Sequence, residues 1–288
     1  MNIAVTGATG HLGRLAVKEL LEKLPAANIV AVVRDRNKAA EAAAKGVQVR
    51  VADYEDPAAL KTALSGVDRL LLISSSKVGK RFAQHRNVID AAKAAGVKYI
   101  VYTSAPKATT SSLILAPEHK ATEEYLAKSG LSYAIVRHGW YTENYTQQIE
   151  TSRRTGTVVA AAGNGRVASA TRADYAAGDI AVLLGENHEG KTYEFSGDYA
   201  WDYIELASAI ADIIGKPVRY QPVDVPTLIG ILKGAGLDEG MAGFVAALDG
   251  NIAAGLLSET SGQLSALIGR PTTPLKAGLK ASLARPGD

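Results

Sequence analysis

Two hydrophobic rhythms alternate along the first two-thirds of the chain. Short apolar runs with the look of buried strands fall at Ile3 to Thr6, Asn28 to Val33, Val47 to Ala52, Leu70 to Ile73, Tyr99 to Tyr102, Tyr133 to Val136 and Tyr193 to Phe195. Between them lie stretches with helical character. His11 to Leu24 is amphipathic, Asn37 to Lys45 is alanine-rich, and another helix runs to about Ala95. Pro57 sits near a further helix start, where its missing N–H costs little. Strands separated by helices of about 10 to 15 residues imply right-handed βαβ crossovers and a parallel sheet covered on both faces. The pattern therefore predicts an α/β chain with a Rossmann-like, doubly wound parallel sheet.

The rhythm changes after about Gly197. Trp201 to Ile214, Pro226 to Leu232 and Met241 to Ala254 read as helices with few strands between them. A smaller, mostly helical C-terminal region beside the sheet is the expectation, with a cleft between the two parts.

Composition narrows the class without changing this outline. The 288 residues are 47% hydrophobic and 21% charged, ordinary values for a chain that buries a sizeable core. The absence of cysteine excludes disulfides, thiolate catalysis and zinc sites built on Cys, and it suits a reducing compartment. The histidines are scattered singly, without H-E-x-x-H spacing, so no catalytic metal is expected. The net charge of +3 is spread along the chain rather than concentrated, which argues against nucleic-acid binding. The densest basic group is Lys77, Lys80, Arg81 and Arg86, read as a solvated face or as an electrostatic guide for an anionic cofactor. The first residues already form a strand and turn, and no apolar run approaches the roughly 20 residues that span a bilayer. A cytoplasmic protein without membrane insertion is expected, and a homodimer is compatible with the sequence.

The candidate chemistry starts in the first strand–helix turn, Thr6-Gly7-Ala8-Thr9-Gly10-His11-Leu12-Gly13. Gly7 permits a tight turn, Gly10 lets the backbone approach a diphosphate, and Gly13 allows close packing of helix on strand. The helix start directs free N–H groups at the phosphates. The spacing is G-x-x-G-x-x-G rather than G-x-G-x-x-G, but the context of strand, turn and helix is that of a dinucleotide site. The second strand ends in Val33-Arg34-Asp35-Arg36. An acidic residue there would hold a ribose 2′-hydroxyl, whereas an Arg accommodates a 2′-phosphate. The planar guanidinium of Arg34 favours NADPH, and Asp35 leaves an NAD reading open.

These features, with Ser74-Ser75-Ser76, Tyr102-Thr103-Ser104, Arg137 to Asn144, Ser169 to Tyr175 and Leu267-Ile268-Gly269-Arg270, give the chain a family likeness over essentially its whole length. It resembles the atypical short-chain dehydrogenases of the NmrA-like type, above all their bacterial quinone oxidoreductase branch, with the triphenylmethane dye reductases nearby. The resemblance implies that Gly7, Ala8, Thr9, Gly10, His11 and Leu12 bind diphosphate and Arg34 the 2′-phosphate. It further implies that Ser74, Ser75 and Ser76 pass the ribose and diphosphate. His138, Gly139, Trp140, Tyr141, Thr142 and Glu143 would border the nicotinamide, and Arg172 would add a contact. Tyr141, Asn144 and Tyr145 would face the substrate. Residues 1–137, with 171–197 returning, would form the NADP-binding domain, and 198–288 with 138–170 the substrate-side region.

One part of the short-chain pattern is missing. Those enzymes activate a carbonyl with a Tyr and a Lys spaced Y-x-x-x-K, helped by a Ser. Here the corresponding slots hold Leu115 and His119, Lys120 is one position off, and Ser104 stands without its partners. This departure argues against alcohol–ketone and epimerase chemistry. Quinone reduction makes smaller demands, because the acceptor is electron-poor and hydride addition yields a stabilised phenolate-like oxygen. The expected activity is NADPH-dependent hydride transfer to a quinone. The alternatives are reduction of dyes or other conjugated acceptors, and an NADP(H) sensor without catalysis. His119 is a weak candidate for an acid and otherwise a hydrogen-bonded structural histidine; His85 is expected on an exposed helix face with no partner.

Overall fold

The computed structural model describes residues 1–284. Its central sheet contains β1 (Ile3–Thr6), β2 (Ile29–Val33), β3 (Gln48–Val51), β4 (Arg69–Leu72), β5 (Tyr99–Ser104), β6 (Ser132–His138) and β7 (Thr192–Phe195). The spatial order is β7-β6-β5-β4-β1-β2-β3, and every pair is parallel. The chain winds outward from β1 to β3, then returns to the other side of β1 as β4. That reversal opens a crevice at the carboxyl ends of β1 and β4, where doubly wound sheets take their ligands.

Strand periodicity divides the core into two layers. Ile3 and Val5 of β1, and Ile29, Ala31 and Val33 of β2, point to one face; Ala4, Val30 and Val32 point to the other. The first face is covered by α1 (His11–Leu21) and α5 (Arg172–Leu184), the second by α2 (Pro57–Ala63), α3 (Arg81–Ala95) and α4 (Ala116–Lys128). On α1 the buried positions are Leu12, Gly13, Ala16, Val17 and Leu20, one helical stripe. Burying each Val, Leu or Ile in these layers stabilises the fold by about 1.5–3 kcal/mol.

Several boundaries differ from the sequence pattern. Helix α1 stops at Leu21, before Pro25. The stretch expected as one helix from Asn37 to Lys45 is a 3₁₀ turn, Arg36–Ala39, running into a short helix, Ala40–Ala44. The Asp35 side chain starts that turn by accepting from the Asn37 N–H at 2.9 Å. Trp201–Asp202 is a short strand antiparallel to Arg166–Val167, so the next helix, Tyr203–Ile214, begins later than expected, at a capping box made by Asp202 and Glu205.

Beyond the sheet, a third hydrophobic cluster gathers Tyr145, Ile149, Val158, Trp201, Tyr203, Leu206, Ile210, Ile252 and Leu279. Two small parallel pairs, Thr157–Ala160 with Arg219–Pro222 and Trp140–Tyr141 with Ser169–Ala170, tie it together. Helices Val225–Gly234 and Glu239–Ala253 complete this side.

Candidate active site

The crevice above β1 and β4 is a cleft of about 400 Å³. Its floor is the glycine turn. Gly7 has φ +62°, the left-handed region that glycine adopts without penalty. A Cβ on Gly13 would lie 2.2 Å from the Gly7 carbonyl oxygen and 2.7 Å from Ala8 Cα, so α1 can start this close to the turn only with glycine there. Gly10 caps α1 with no side-chain hydrogen bond, which leaves the first N–H groups of the helix free to meet an anion.

At one end of the cleft, beyond β2, stands Arg34, exposed and without a hydrogen bond or salt bridge among the described residues. Its neighbour Asp35 is engaged as the cap of the 3₁₀ turn and does not line the cleft. Of the charged pair that ends β2, the one that faces the cleft is the guanidinium; the carboxylate that lines it is Asp53, past β3, which accepts from the Glu55 N–H at 2.8 Å.

The middle of the cleft is built from strand ends. The Tyr54 hydroxyl bonds Thr6 Oγ1 at 2.6 Å and the Ile73 carbonyl at 2.8 Å, so one ring ties β1 to β4, and burial raises its phenol above the ordinary range. Ser74, Ser75 and Ser76 form the rim after β4. The Ser75 N–H donates to His85 Nε2 at 2.8 Å, the Ser75 hydroxyl donates to Gln84, and its carbonyl accepts from Arg81 Nε at 2.6 Å. Arg81, the first residue of α3, lines the cleft half-buried, and its Nη1 is enclosed without a hydrogen-bond partner.

Toward β6 the wall is Tyr141, with the Arg172 guanidinium 4.6 Å above its ring. Arg172 is itself held in place: Asn144 Oδ1 accepts from Nη2 at 3.1 Å, and the Glu143 carboxylate accepts from its backbone N–H at 2.9 Å. The Tyr141 hydroxyl lies 3.1 Å from His138 Nδ1, and His138 Nε2 lies 2.7 Å from Asp179 Oδ1. Burial pushes the Tyr141 phenol up and, more unusually, raises the Asp179 carboxyl against the opposing pull of His138.

The structure thus brings Gly7, Thr9, Gly10, His11, Leu12, Arg34, Ser74, Ser75, Ser76, Tyr141 and Arg172 onto one wall. Ala8 is buried beneath the turn. His138, Gly139, Trp140, Thr142, Glu143, Asn144 and Tyr145 are not on that wall. His138, Glu143 and Asn144 reach it through Tyr141 and Arg172, whereas Thr142 bonds Ser169 and Tyr145 packs edge-on against Trp201 at 4.9 Å. Trp140 packs with the third hydrophobic cluster. Lys77 and Arg81, from the basic group read as a solvated face or an electrostatic guide for an anion, both line the cleft. Tyr54 and Gln84 were not anticipated; each lies just beyond the carboxyl end of a sheet strand or at the start of the following helix, the positional signal that could have found them.

His85 overturns its expectation. It is fully buried, not on an exposed face, because α3 turns that position toward the sheet under Tyr102. Since its Nε2 accepts from Ser75, its proton sits on Nδ1, 3.0 Å from Thr122 Oγ1. His119 is buried too, and its Nδ1 shares a hydrogen bond with the Tyr102 hydroxyl at 2.7 Å. Burial, with Arg81 nearby, lowers both imidazoles to about 3. His119 does not line the cleft, and Ser104 donates to the buried Glu123 carboxylate at 2.6 Å, which also receives Arg137. No group of three or more metal-ligating side chains occurs among the described residues, and no helix there is long and apolar enough to cross a membrane.

A doubly wound sheet with a glycine turn, a free helix start and a cleft at its switch point defines a dinucleotide-binding protein of the Rossmann class. The chain belongs to the NAD(P)H-binding family, whose profile matches residues 7–183. It is similar to quinone oxidoreductase 2 of Escherichia coli strain K12, at 50% identity over 273 residues, 95% of this chain and 96% of that protein. A crystal structure of an NADPH-dependent quinone oxidoreductase from Escherichia coli, complexed with NADPH, superposes with a TM-score of 0.94 at 49% identity, covering 98% of this chain and all of that one. The triphenylmethane reductase of Citrobacter sp. superposes equally well, with a TM-score of 0.94 at 39% identity, covering 99% of this chain and all of that one.

Proposed function

We propose that this protein is an NADPH-dependent reductase that passes hydride directly to a quinone. The observation that carries the reading is the cleft with Arg34 at one end and Tyr141 at the other, in a chain half identical to a quinone oxidoreductase along its whole length. The residues fit the cofactor. The volume suits a nucleotide, the glycine turn admits its diphosphate, the free N–H groups of α1 supply donors, and Arg34 supplies a cation for a 2′-phosphate. Bound there, the reduced nicotinamide supplies the hydride.

The chain's own residues hold and enclose. Gly7 to Leu12 and Ser74 to Ser76 fix the diphosphate and ribose. Arg172, held by Glu143 and Asn144, packs over Tyr141 and closes the reacting end against water, with Asn144 toward the acceptor. Tyr145, buried against Trp201, supports this side from the core rather than facing it. Residues 138–170 with 198–284 make the substrate side, except the helix Gln263–Ile268, which packs on the nucleotide side formed by 1–137 with 171–197. Residues 285–288 of the expected region lie outside the described ones. Reduction of cationic dyes is the second reading, favoured by the fit to the Citrobacter enzyme. Lack of cysteine accords with a cytoplasmic place, and a homodimer accords with the exposed apolar residues Ile231 and Met241.

Mixing the protein with NADPH and a simple benzoquinone and following the nicotinamide absorbance tests the activity. Protein-dependent oxidation is expected, and its absence with every quinone would favour a sensor. Arg34→Glu should weaken NADPH binding by about 2 kcal/mol or more, roughly 30-fold, and leave NADH nearly unchanged. Equal weakening of both by calorimetry would discredit the phosphate assignment.

A further inference from the structure

The short-chain Tyr and Lys are absent, yet the cleft has a phenol with a buried line of proton-carrying groups behind it. Asp179 is wholly inaccessible, Oδ1 meets His138 Nε2 at 2.7 Å, and Oδ2 has no partner among the described residues. A buried carboxylate with one partner costs several kcal/mol unless its charge is balanced. Among the described residues the one partner that can carry a balancing charge is His138, whose ring stacks against Tyr175 at 4.5 Å and Phe195 at 6.0 Å. His138 Nδ1 then faces the Tyr141 hydroxyl at 3.1 Å, and Tyr141 lines the cleft. The sheet order puts Tyr141, just past β6, at the end opposite Arg34.

Resting on the reductase reading, we infer that Tyr141 is the proton donor to the reduced acceptor, recharged by His138, with Asp179 as the positioning residue. Quinone reduction needs two electrons and one hydrogen nucleus as hydride, then one proton on the oxygen left negative. In the charged state Nδ1–H donates to the Tyr141 oxygen, which frees the phenolic proton for the cleft. That O–H bond breaks as the acceptor's O–H bond forms. The Tyr141 oxygen takes the Nδ1 proton, and His138 ends neutral with Nε2–H still on Asp179. Water entering after product release returns one proton by the same route. Burial and the Asp179 charge oppose a phenolate at Tyr141, so the His138 proton must follow as the phenolic proton leaves. Arg172, over the ring, and Arg81, across the cleft, favour the phenolate, and Glu143 opposes it but is paired with Arg172.

The two acceptor classes separate proton donation from mere packing. A cationic triphenylmethane dye becomes neutral on receiving hydride alone and consumes no proton; a benzoquinone consumes one. Tyr141→Phe removes a single oxygen atom. It should slow benzoquinone turnover about tenfold or more and abolish its solvent deuterium isotope effect, while crystal violet reduction stays within about twofold. Asp179→Asn should slow quinone turnover in the same selective way. In the free protein, the His138 ring nitrogens, followed by ¹⁵N NMR, should show both N–H groups at neutral pH, and Asp179→Asn should remove one of them. Equal loss on both acceptors would make Tyr141 a packing residue, unchanged quinone turnover would make water the donor, and a neutral His138 in the free protein would remove the recharging step. Wild-type protein that reduces neither acceptor would instead sink the reductase reading itself.

Discussion

The molecule buries two histidine systems within a few residues of one cleft, and they are built on opposite principles. In the first, His85 and His119 flank Tyr102, and every partner is neutral: the Ser75 N–H, the Thr122 hydroxyl and the Tyr102 hydroxyl. His85 can accept from the Ser75 N–H only by staying uncharged, and burial, with Arg81 beside them, holds both rings neutral. In the second, His138 meets a buried carboxylate on one nitrogen and a cleft-lining phenol on the other. The difference teaches that burial alone does not decide whether a histidine is structural. What decides is the charge of the group on its far nitrogen, and whether the near one leads anywhere.

The first system can be broken with acid. Both folded values, about 3, lie below the roughly 6.5 of an unfolded histidine, so as pH falls the unfolded chain takes up protons first. The stability held by these neutral rings is complete above about 6.5 and is lost progressively toward about 3. Between pH 7 and 5, above the main carboxylate range, the loss should reach about 2 kcal/mol for each histidine. Urea unfolding across that interval measures it. A His85→Gln, His119→Gln double variant should be weaker at pH 7 but nearly flat down to pH 5; an unchanged slope would place the proton uptake elsewhere.

The next effect is smaller and separates stability from turnover. His119→Ala leaves a cavity and an unpaired Tyr102 hydroxyl, and should cost about 2–4 kcal/mol of stability. Quinone turnover, assayed well below the melting temperature, should nevertheless stay within about threefold of the parent. Near-complete loss at unchanged NADPH affinity would move His119 into the chemistry and erase the contrast with His138.

Much of this architecture could be read from one dimension, and the part that could not has a physical reason. The nearly unbroken apolar runs Ile3 to Thr6 and Ile29 to Val33 follow from burial on both faces, so the pattern and the strands coincide. Arg34 was legible because its distance from the glycine turn is fixed by one βαβ unit. Tyr54 was not, since a tyrosine after a loop looks like ordinary surface until the sheet brings strand ends together, and Arg81 was legible only as one of a basic group that a solvated face explained as well as an anion guide. His85 misled for a related reason: α3 is weakly amphipathic, with Gln84 and His85 both on its buried side, so polarity pointed outward while packing pointed in. Asp179 is hidden in the same way, a charged residue on the buried face of α5 whose purpose depends on His138, 41 positions earlier.

The finest test touches one methyl-sized group. Thr122 Oγ1 donates to the Glu118 carbonyl at 2.8 Å, so it can only accept from His85 Nδ1–H at 3.0 Å. Thr122→Val removes that acceptor, but the Tyr102 oxygen, at 3.3 Å from the same Nδ1, remains to take the bond. The loss should therefore stop at about 1 kcal/mol, read as a shift in the urea midpoint at constant slope. Turnover should be unaffected, because His85 would still hold the Ser75 N–H and with it the rim of the cleft. A neutral network with a spare partner absorbs the removal of one oxygen, whereas the line from Asp179 to Tyr141 has no spare at any link. A large drop in quinone turnover after Thr122→Val would mean that the first histidine system also steers the site.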